Sequence, residues 1–457
     1  MHPNGEFYEK HISSERRRIY DFYKLEFDQN GCPHKNENGS LIFHPLLPAY
    51  LILEYAKAFT TSGNSLFIEN AHSIASLALE RAHGEADVLT FRYSCDDGLS
   101  YVPGNFYSAL TQAWYVKSLS FLSQISLGHI DCDYSNEIKG FYNSLLVPID
   151  QGGVLVAKDF GWIVEEYPHE PPLYTLNGWL TVLRWVCDSD SFLKKIGVDT
   201  SLFLNKNFEA VKKLLPLYDL EELSNTRYQL TGFTRVRFVF TKAIDFELCE
   251  FHVDIPGEGK YYNHDFGGNT SNRWKNHIER IDGRILQLNI VNSLVANPEV
   301  STLNCVLRCS TESEASILVA DGAYRPDCTA MPTQAWRELS RVSLHSGVNR
   351  LKASLSSDGK DLFAYPTNFK KKIDGKLYNS YHFIHIIDCA ELYAFSGIEI
   401  FKEYAFKWLS YCENWVNLLC LQDPNISIQH QNYTPEQLKS YINKLCKYTK
   451  KQYENEV

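Results

Sequence analysis

The stretch GWIVEEYPHEPPLYTLNGW, residues 161–179, gathers Glu165, Glu166 and Tyr167 around three prolines. Carboxylates and a phenol held together are residue types of general acid–base chemistry. On an extended segment adjacent side chains point to opposite sides, so only one of Glu165 and Glu166 easily faces a given cleft. The prolines stiffen the segment and would hold Glu166 and Tyr167 in a fixed pose; the alternative is a solvated acidic loop. Asn177 and Gly178 then open a helix.

The supply of rings points the same way. The chain of 457 residues holds 28 Tyr, 26 Phe and 8 Trp against 2 Met, a bias suited to presenting ring faces and phenol hydroxyls, with carbohydrate as one candidate partner. Lys and Arg number 45 and Asp and Glu 55, a net charge of −10, which argues against a general nucleic-acid or anionic-membrane surface. No run of about 18 uncharged apolar residues occurs, and the first residues lack the apolar core of a signal peptide; the expectation is a soluble cytoplasmic protein without a membrane span. Twelve cysteines are scattered without a Cys-x-x-Cys pair, so zinc spacing is lacking and no metal site is expected. CDDG at 95–98 and HDFGGN at 264–269 read as turn and loop, since neither has the further spacing of a calcium or phosphate loop.

Apolar periodicity divides the chain in three. Residues 1–231 are mainly helical; in FYSALTQAWYVKSLSFLSQI, Tyr115, Leu119 and Leu122 share one face. From 232 to 370 the period falls to two, with a one-residue slip inside FELCEFHVDI that predicts a β-bulge. Helical spacing returns over 371–457. The expected architecture is α+β and multidomain: an (α/α) barrel of helix hairpins built from both ends of the chain, interrupted by an antiparallel β-sandwich.

Four separated segments resemble the D-glucuronyl C5-epimerases, which convert glucuronate to iduronate in heparosan and heparan sulfate chains. WIVEEYPHEPPLYTLNGW is similar to the family's Trp-Tyr-Glu-Glu-Tyr-Pro motif and the Leu-Asn-Gly helix after it. PGNFYSALTQAW at 103–114 resembles its Gly-Trp-Tyr-Ser-Ala-Met-Ala-Gln segment. VKKLLPLYD at 211–219 resembles its Leu-Pro-Leu-Tyr-Asp motif, and YHFIH at 381–385 its Tyr-His-Thr-Thr-His. The chain departs from the family in placing a long β pattern between Asp219 and Tyr381, and in lacking a clear Tyr-Asp-Leu-Arg segment. Tyr228 or Tyr365 could stand for that tyrosine, but neither has an arginine three residues on.

The resemblance implies C5 epimerisation of glucuronate in a heparosan-like polymer, an anionic polysaccharide as partner, no redox cofactor and a homodimer. It carries the catalytic glutamate onto Glu166, a supporting tyrosine onto Tyr167 and a second catalytic tyrosine onto Tyr381. The residue types suit the reaction: a base such as Glu166 on one ring face, and a phenol such as Tyr381 on the other. His382 and His385 are candidates to lower that phenol from its free value near about 10, with a structural His385–Asp388 pair or a core tyrosine as alternatives. Arg227 and Arg237 are candidates for the uronate carboxylate, Tyr228 and Asn177 for substrate contact, and Tyr107 for stacking on sugar or packing. A uronate lyase taking the same proton, or a non-catalytic polysaccharide-binding protein, are the alternative functions.

Overall fold

A computed structural model describes residues 2–13, 20, 23–94, 105–126, 132–262, 278–281, 283–296, 301–320, 325–329, 336–355 and 366–447. CDDG, HDFGGN and Tyr365 lie outside these residues.

Helix signals in the sequence act where expected. Asn64 caps the helix Ser65–Leu79 by accepting from the Leu66 amide, and Gly63 and Gly397, at φ of 67° and 65°, end the helices Leu46–Ser62 and Ser380–Ser396. The described helices are α1 Pro3–His11, α2 Leu46–Ser62, α3 Ser65–Leu79, α4 Ala109–Ser126, α5 Ser135–Ser144, α6 Leu176–Lys195, α7 Ser201–Leu214, α8 Ser380–Ser396, α9 Glu399–Trp415 and α10 Pro435–Lys447. Helices α2, α4, α6 and α8 pack side by side in one row, and each is followed by a partner, α3, α5, α7 and α9, against its flank. Tyr115, Leu119 and Leu122 of α4 are fully buried, as their spacing predicts.

One hydrophobic cluster runs through the helices from Tyr8 to Ile442, so residues from both ends of the chain share it. A buried ion pair joins the two parts: Arg184 of α6 donates to Asp388 of α8 at 2.9 Å and approaches Glu391 at 3.4 Å, and Thr181 donates to Asp388 at 2.7 Å. Asp388 therefore partners Arg184 and Thr181 in place of His385. No helix among the described residues is long and apolar enough to cross a membrane.

Between α7 and α8 run the strands β1 Thr231–Phe240, β2 Phe246–Ile255, β3 Gly259–Tyr262, β4 Ile278–Ile281, β5 Ile285–Ser293, β6 Thr302–Cys309, β7 Ser313–Ala320, β8 Trp336–Leu344 and β9 Gly347–Ser354. They form two antiparallel sheets, ordered β4-β5-β1-β7-β8 and β3-β2-β6-β9. Alternation puts Val236, Phe238 and Phe240 opposite Phe251, Val253 and Leu307 in a second hydrophobic cluster. The predicted bulge is present, with the register of β2 on β6 slipping between Leu248 and Glu250.

Candidate active site

Two pieces of irregular chain carry the chemistry to the ends of the helices. The hairpin of Leu155–Lys158 and Gly161–Val164 delivers Glu165 and Glu166 just ahead of α6. The segment 225–230 passes beside them, its Tyr228 carbonyl accepting from the Leu176 amide at 3.0 Å.

The two glutamates part as their alternation requires. Glu165 Oε1 accepts from the Tyr174 amide at 2.9 Å. Glu166 turns to the other side, where its Oε2 lies 3.5 Å from both Asn177 Nδ2 and the Tyr228 hydroxyl. These distances sit at the outer limit of a hydrogen bond. Burial, opposed by hydrogen bonding from Tyr167, Tyr228 and Asn177, raises the Glu166 carboxyl to about 7. Glu165 is raised further, to about 8, by burial and by the nearby charges of Glu258 and Glu166. A carboxyl poised near neutrality can give and take a proton at working pH.

Tyrosines surround Glu166. The Tyr228 ring meets Tyr381 edge-on with centroids 4.9 Å apart, and Tyr381, in the first turn of α8, is 40% exposed. Tyr167 joins Tyr93 and Phe106 in a small apolar group, and the Tyr93 hydroxyl pairs with Thr111 of α4 at 2.7 Å. The charge of Glu166 also raises Tyr23 and Tyr93 beyond the effect of burial. His44 closes the group, its ring edge-on to Tyr23 at 5.1 Å and to Tyr93 at 6.0 Å, and burial pushes it down to about 4. Asn177, in the first turn of α6, thus contacts Glu166 directly, Tyr381 of α8 reaches it through Tyr228, and Thr111 of α4 and His44, two residues ahead of α2, hold the tyrosines around it.

The start of α8 is fixed by buried polar groups. Its cap Asn379 donates to Asn225 Oδ1 at 3.2 Å and accepts from the His382 amide. His382 Nε2 lies 3.1 Å from the Trp408 carbonyl, which only accepts, so Nε2 carries the proton and Nδ1 accepts from the Thr226 hydroxyl at 3.1 Å. That hydroxyl has one proton to give, hence His385 Nδ1 donates to Thr226 Oγ1 at 2.9 Å. Both rings are neutral. Burial holds His382 at about 4 and His385 well below its ordinary range.

This corrects the expectation that the two histidines supply a cation beside Tyr381: they are core groups that brace the helix carrying it. Of the two roles open to Tyr107, stacking on sugar or packing, the structure gives packing: it is buried and its hydroxyl donates to the Ser144 carbonyl at 2.7 Å. Arg227 is buried between Thr226 and Tyr228, its amide donating to the Tyr218 carbonyl at 2.8 Å. Arg237 lies on β1, with Nε 2.6 Å from Gln287 Oε1 and its guanidinium 4.0 Å over the Trp336 ring; none of its described contacts is to the Glu166 group. The Leu-Pro-Leu-Tyr-Asp segment is a brace: the Tyr218 hydroxyl donates to the Tyr174 carbonyl at 2.6 Å, and Asp219 accepts from Lys407, Trp408 and Tyr411 of α9.

A family model described as D-glucuronyl C5-epimerase C-terminus matches residues 87–253. Over that stretch, somewhat over a third of the chain, the sequence is similar to the D-glucuronyl C5-epimerases. The matched region holds three of the four resembling segments together with Glu166 and Tyr228, and it runs into β1 and β2; YHFIH at 381–385 lies beyond it. The family's description points to epimerisation of uronates. The chain is also 32% identical over 142 residues to the uncharacterized protein MJ1128 of Methanocaldococcus jannaschii, an overlap of 30% of this chain and 44% of that one, so less than half of this relative's length is spanned.

Tyr23, His44, Tyr93, Tyr174 and Glu258 were not legible as site residues. They come from the first hundred residues, the glutamate loop and the β module, and only the fold brings them together. Among the described residues no group of three or more His, Cys, Asp or Glu is arranged to hold a metal ion.

Proposed function

We propose that the protein epimerises D-glucuronate to L-iduronate at C5 within a heparosan-like polysaccharide, with Glu166 and Tyr381 on opposite faces of the sugar. The observation that carries this reading is Glu166 itself. It is a buried carboxyl raised to about 7, with the Tyr228 hydroxyl beside it and the exposed Tyr381 beyond. The match of residues 87–253 to the epimerase family model supports it.

In the forward direction the Glu166 carboxylate takes the C5 hydrogen as a proton. The electron pair left behind spreads into the uronate carboxylate as an enolate-like dianion, which needs fixed donors; Tyr228 and Arg227, adjacent in the chain, are the candidates. The Tyr381 hydroxyl then gives its proton to C5 from the other face, inverting the centre. Glu166 is left protonated and Tyr381 deprotonated. Tyr381 recovers its proton from solvent, to which it is open, and Glu166 releases the one it took. The row of helix hairpins belongs, in this reading, to an (α/α) barrel with the sandwich inserted in it, in a homodimeric cytoplasmic enzyme.

The test is proton NMR in heavy water with a defined glucuronate polymer. Deuterium at C5 with new iduronate signals, and without the absorbance of an unsaturated uronate, is expected for wild type and lost in Glu166→Gln and Tyr381→Phe. Unsaturated product would select the lyase. Binding without exchange would select a non-catalytic carbohydrate-binding protein.

A further inference from the structure

The β module meets the glutamate loop at several points, and one charged side chain reaches furthest into it. Strands β2 and β3 are joined by Pro256, Gly257 and Glu258, where proline at the second turn position and glycine at the third, φ of 75°, make a type II turn closed by the Glu258 amide on the Ile255 carbonyl at 3.0 Å. The turn projects Glu258 out of the sandwich, yet its side chain is only 2% exposed because it enters the helical part.

There Glu258 grips both ends of the segment that holds the glutamates. Oε2 accepts from Lys158 Nζ at 2.8 Å, and the same ammonium reaches the Gly257 carbonyl at 3.0 Å; Lys158 belongs to the hairpin that runs directly into Glu165. Oε1 accepts from the Tyr174 hydroxyl, while the Tyr174 amide holds Glu165. Around this contact the loop is seated in the module. Leu173 packs in the sandwich cluster, its carbonyl accepts from the Leu230 amide at 3.1 Å, and the Pro172 carbonyl accepts from Thr231 Oγ1 at 2.6 Å. Tyr174 is itself at φ of 57°, a conformation a non-glycine residue keeps only when its surroundings impose it. Glu165 Oε2 is buried among these residues with no hydrogen-bond partner, so the segment leaves this carboxyl little room.

We propose that Glu258, supplied by the β module, is a positioning residue for the active site: by bridging Lys158 and Tyr174 it locks the 165–174 segment and so fixes where Glu166 points. The part of the reading that concerns turnover rests on the epimerase function above. The β module is then a structural component of the catalytic loop and not a separable appendage.

The test uses the full chain in three variants, Glu258→Gln, Tyr174→Phe and Glu166→Gln, with two readouts. In Glu258→Gln the charge is lost and the single carboxamide oxygen can accept from only one of Lys158 and Tyr174, and the Tyr174 amide is expected to lose about tenfold or more of its hydrogen-exchange protection while the α4 amides keep theirs. The kcat for C5 exchange is expected to fall about tenfold with KM within about twofold, because misplacement affects chemistry more than binding. Tyr174→Phe should reproduce both effects. Unchanged Tyr174 protection in both variants overturns the clamp. Loosened protection with unchanged kcat, or a KM that rises as kcat falls, overturns its positioning role. If wild type shows no C5 exchange, the functional reading fails on its own, and the amide protection still decides whether Glu258 locks the loop.

Discussion

Gly178 stands so close to Glu166 that a β-carbon built on it would lie 2.8 Å from the Glu166 Cβ and 3.0 Å from Oε2. The Asn-Gly pair at the head of α6 therefore serves two ends: Asn177 contacts the carboxylate, and the missing side chain at 178 leaves it room. Gly178→Ala is expected to push Glu166 off its line with Tyr228, costing about 1–3 kcal/mol of stability as overpacking does. Its loss of kcat should exceed what that destabilisation accounts for at a temperature where the variant is folded. A crystal structure of the variant with Glu166 unmoved, or full activity, would remove Gly178 from the site.

Because Glu166 must be ionised to take a proton, kcat/KM is expected to rise with pH and level off above about 7. A solvated glutamate, near about 4.3, would put that limb well below neutrality. Glu166→Gln should lower the rate by about 10²–10⁴-fold, the usual contribution of a positioned base. A profile flat from about pH 5 to 8 would exclude Glu166 as the base.

The same burial affects stability with a definite sign. Glu165 is raised from 4.5 to about 8, so the folded chain keeps a proton there that the unfolded chain has already lost. Its neutral form contributes stability fully below about pH 4.5, and that contribution is lost as pH rises through about 8. Glu165→Gln mimics the neutral acid. The variant is expected to gain on wild type by on the order of 1–3 kcal/mol near pH 9 and to show no such gain near pH 5, read by urea denaturation at both values. An equal difference at both would assign the effect to packing.

Much of this arrangement was legible because local chemistry dictates it. The alternation of Glu165 and Glu166, the helix opened by Asn177-Gly178, the bulge near Leu248 and the buried face of α4 all follow from spacing within a few residues. The roles of His382 and His385 were not. Spacing puts His385 one turn beyond Tyr381, but whether a helix position faces solvent or core depends on α9, which supplies the Trp408 carbonyl, and on Thr226, which arrives from 156 residues away. Glu258 shows the same limit. Proline and glycine mark its turn locally, while the Tyr174 and Lys158 that receive it are 84 and 100 residues distant.

Thr226 gives the sharpest test of the bracing role assigned to those histidines. Its single hydroxyl satisfies both Nδ1 atoms, donating to His382 and accepting from His385. Thr226→Val keeps the shape and removes both bonds at once, leaving a bare acceptor and an N–H donor buried without partners. Each such group costs about 1–3 kcal/mol, so the variant is expected to lose on the order of 2–5 kcal/mol with its pH–rate profile unmoved. If the histidines instead titrated in the reaction, Thr226→Val would shift the profile while sparing stability. Thermal unfolding and kcat/KM across pH on one preparation separate the two.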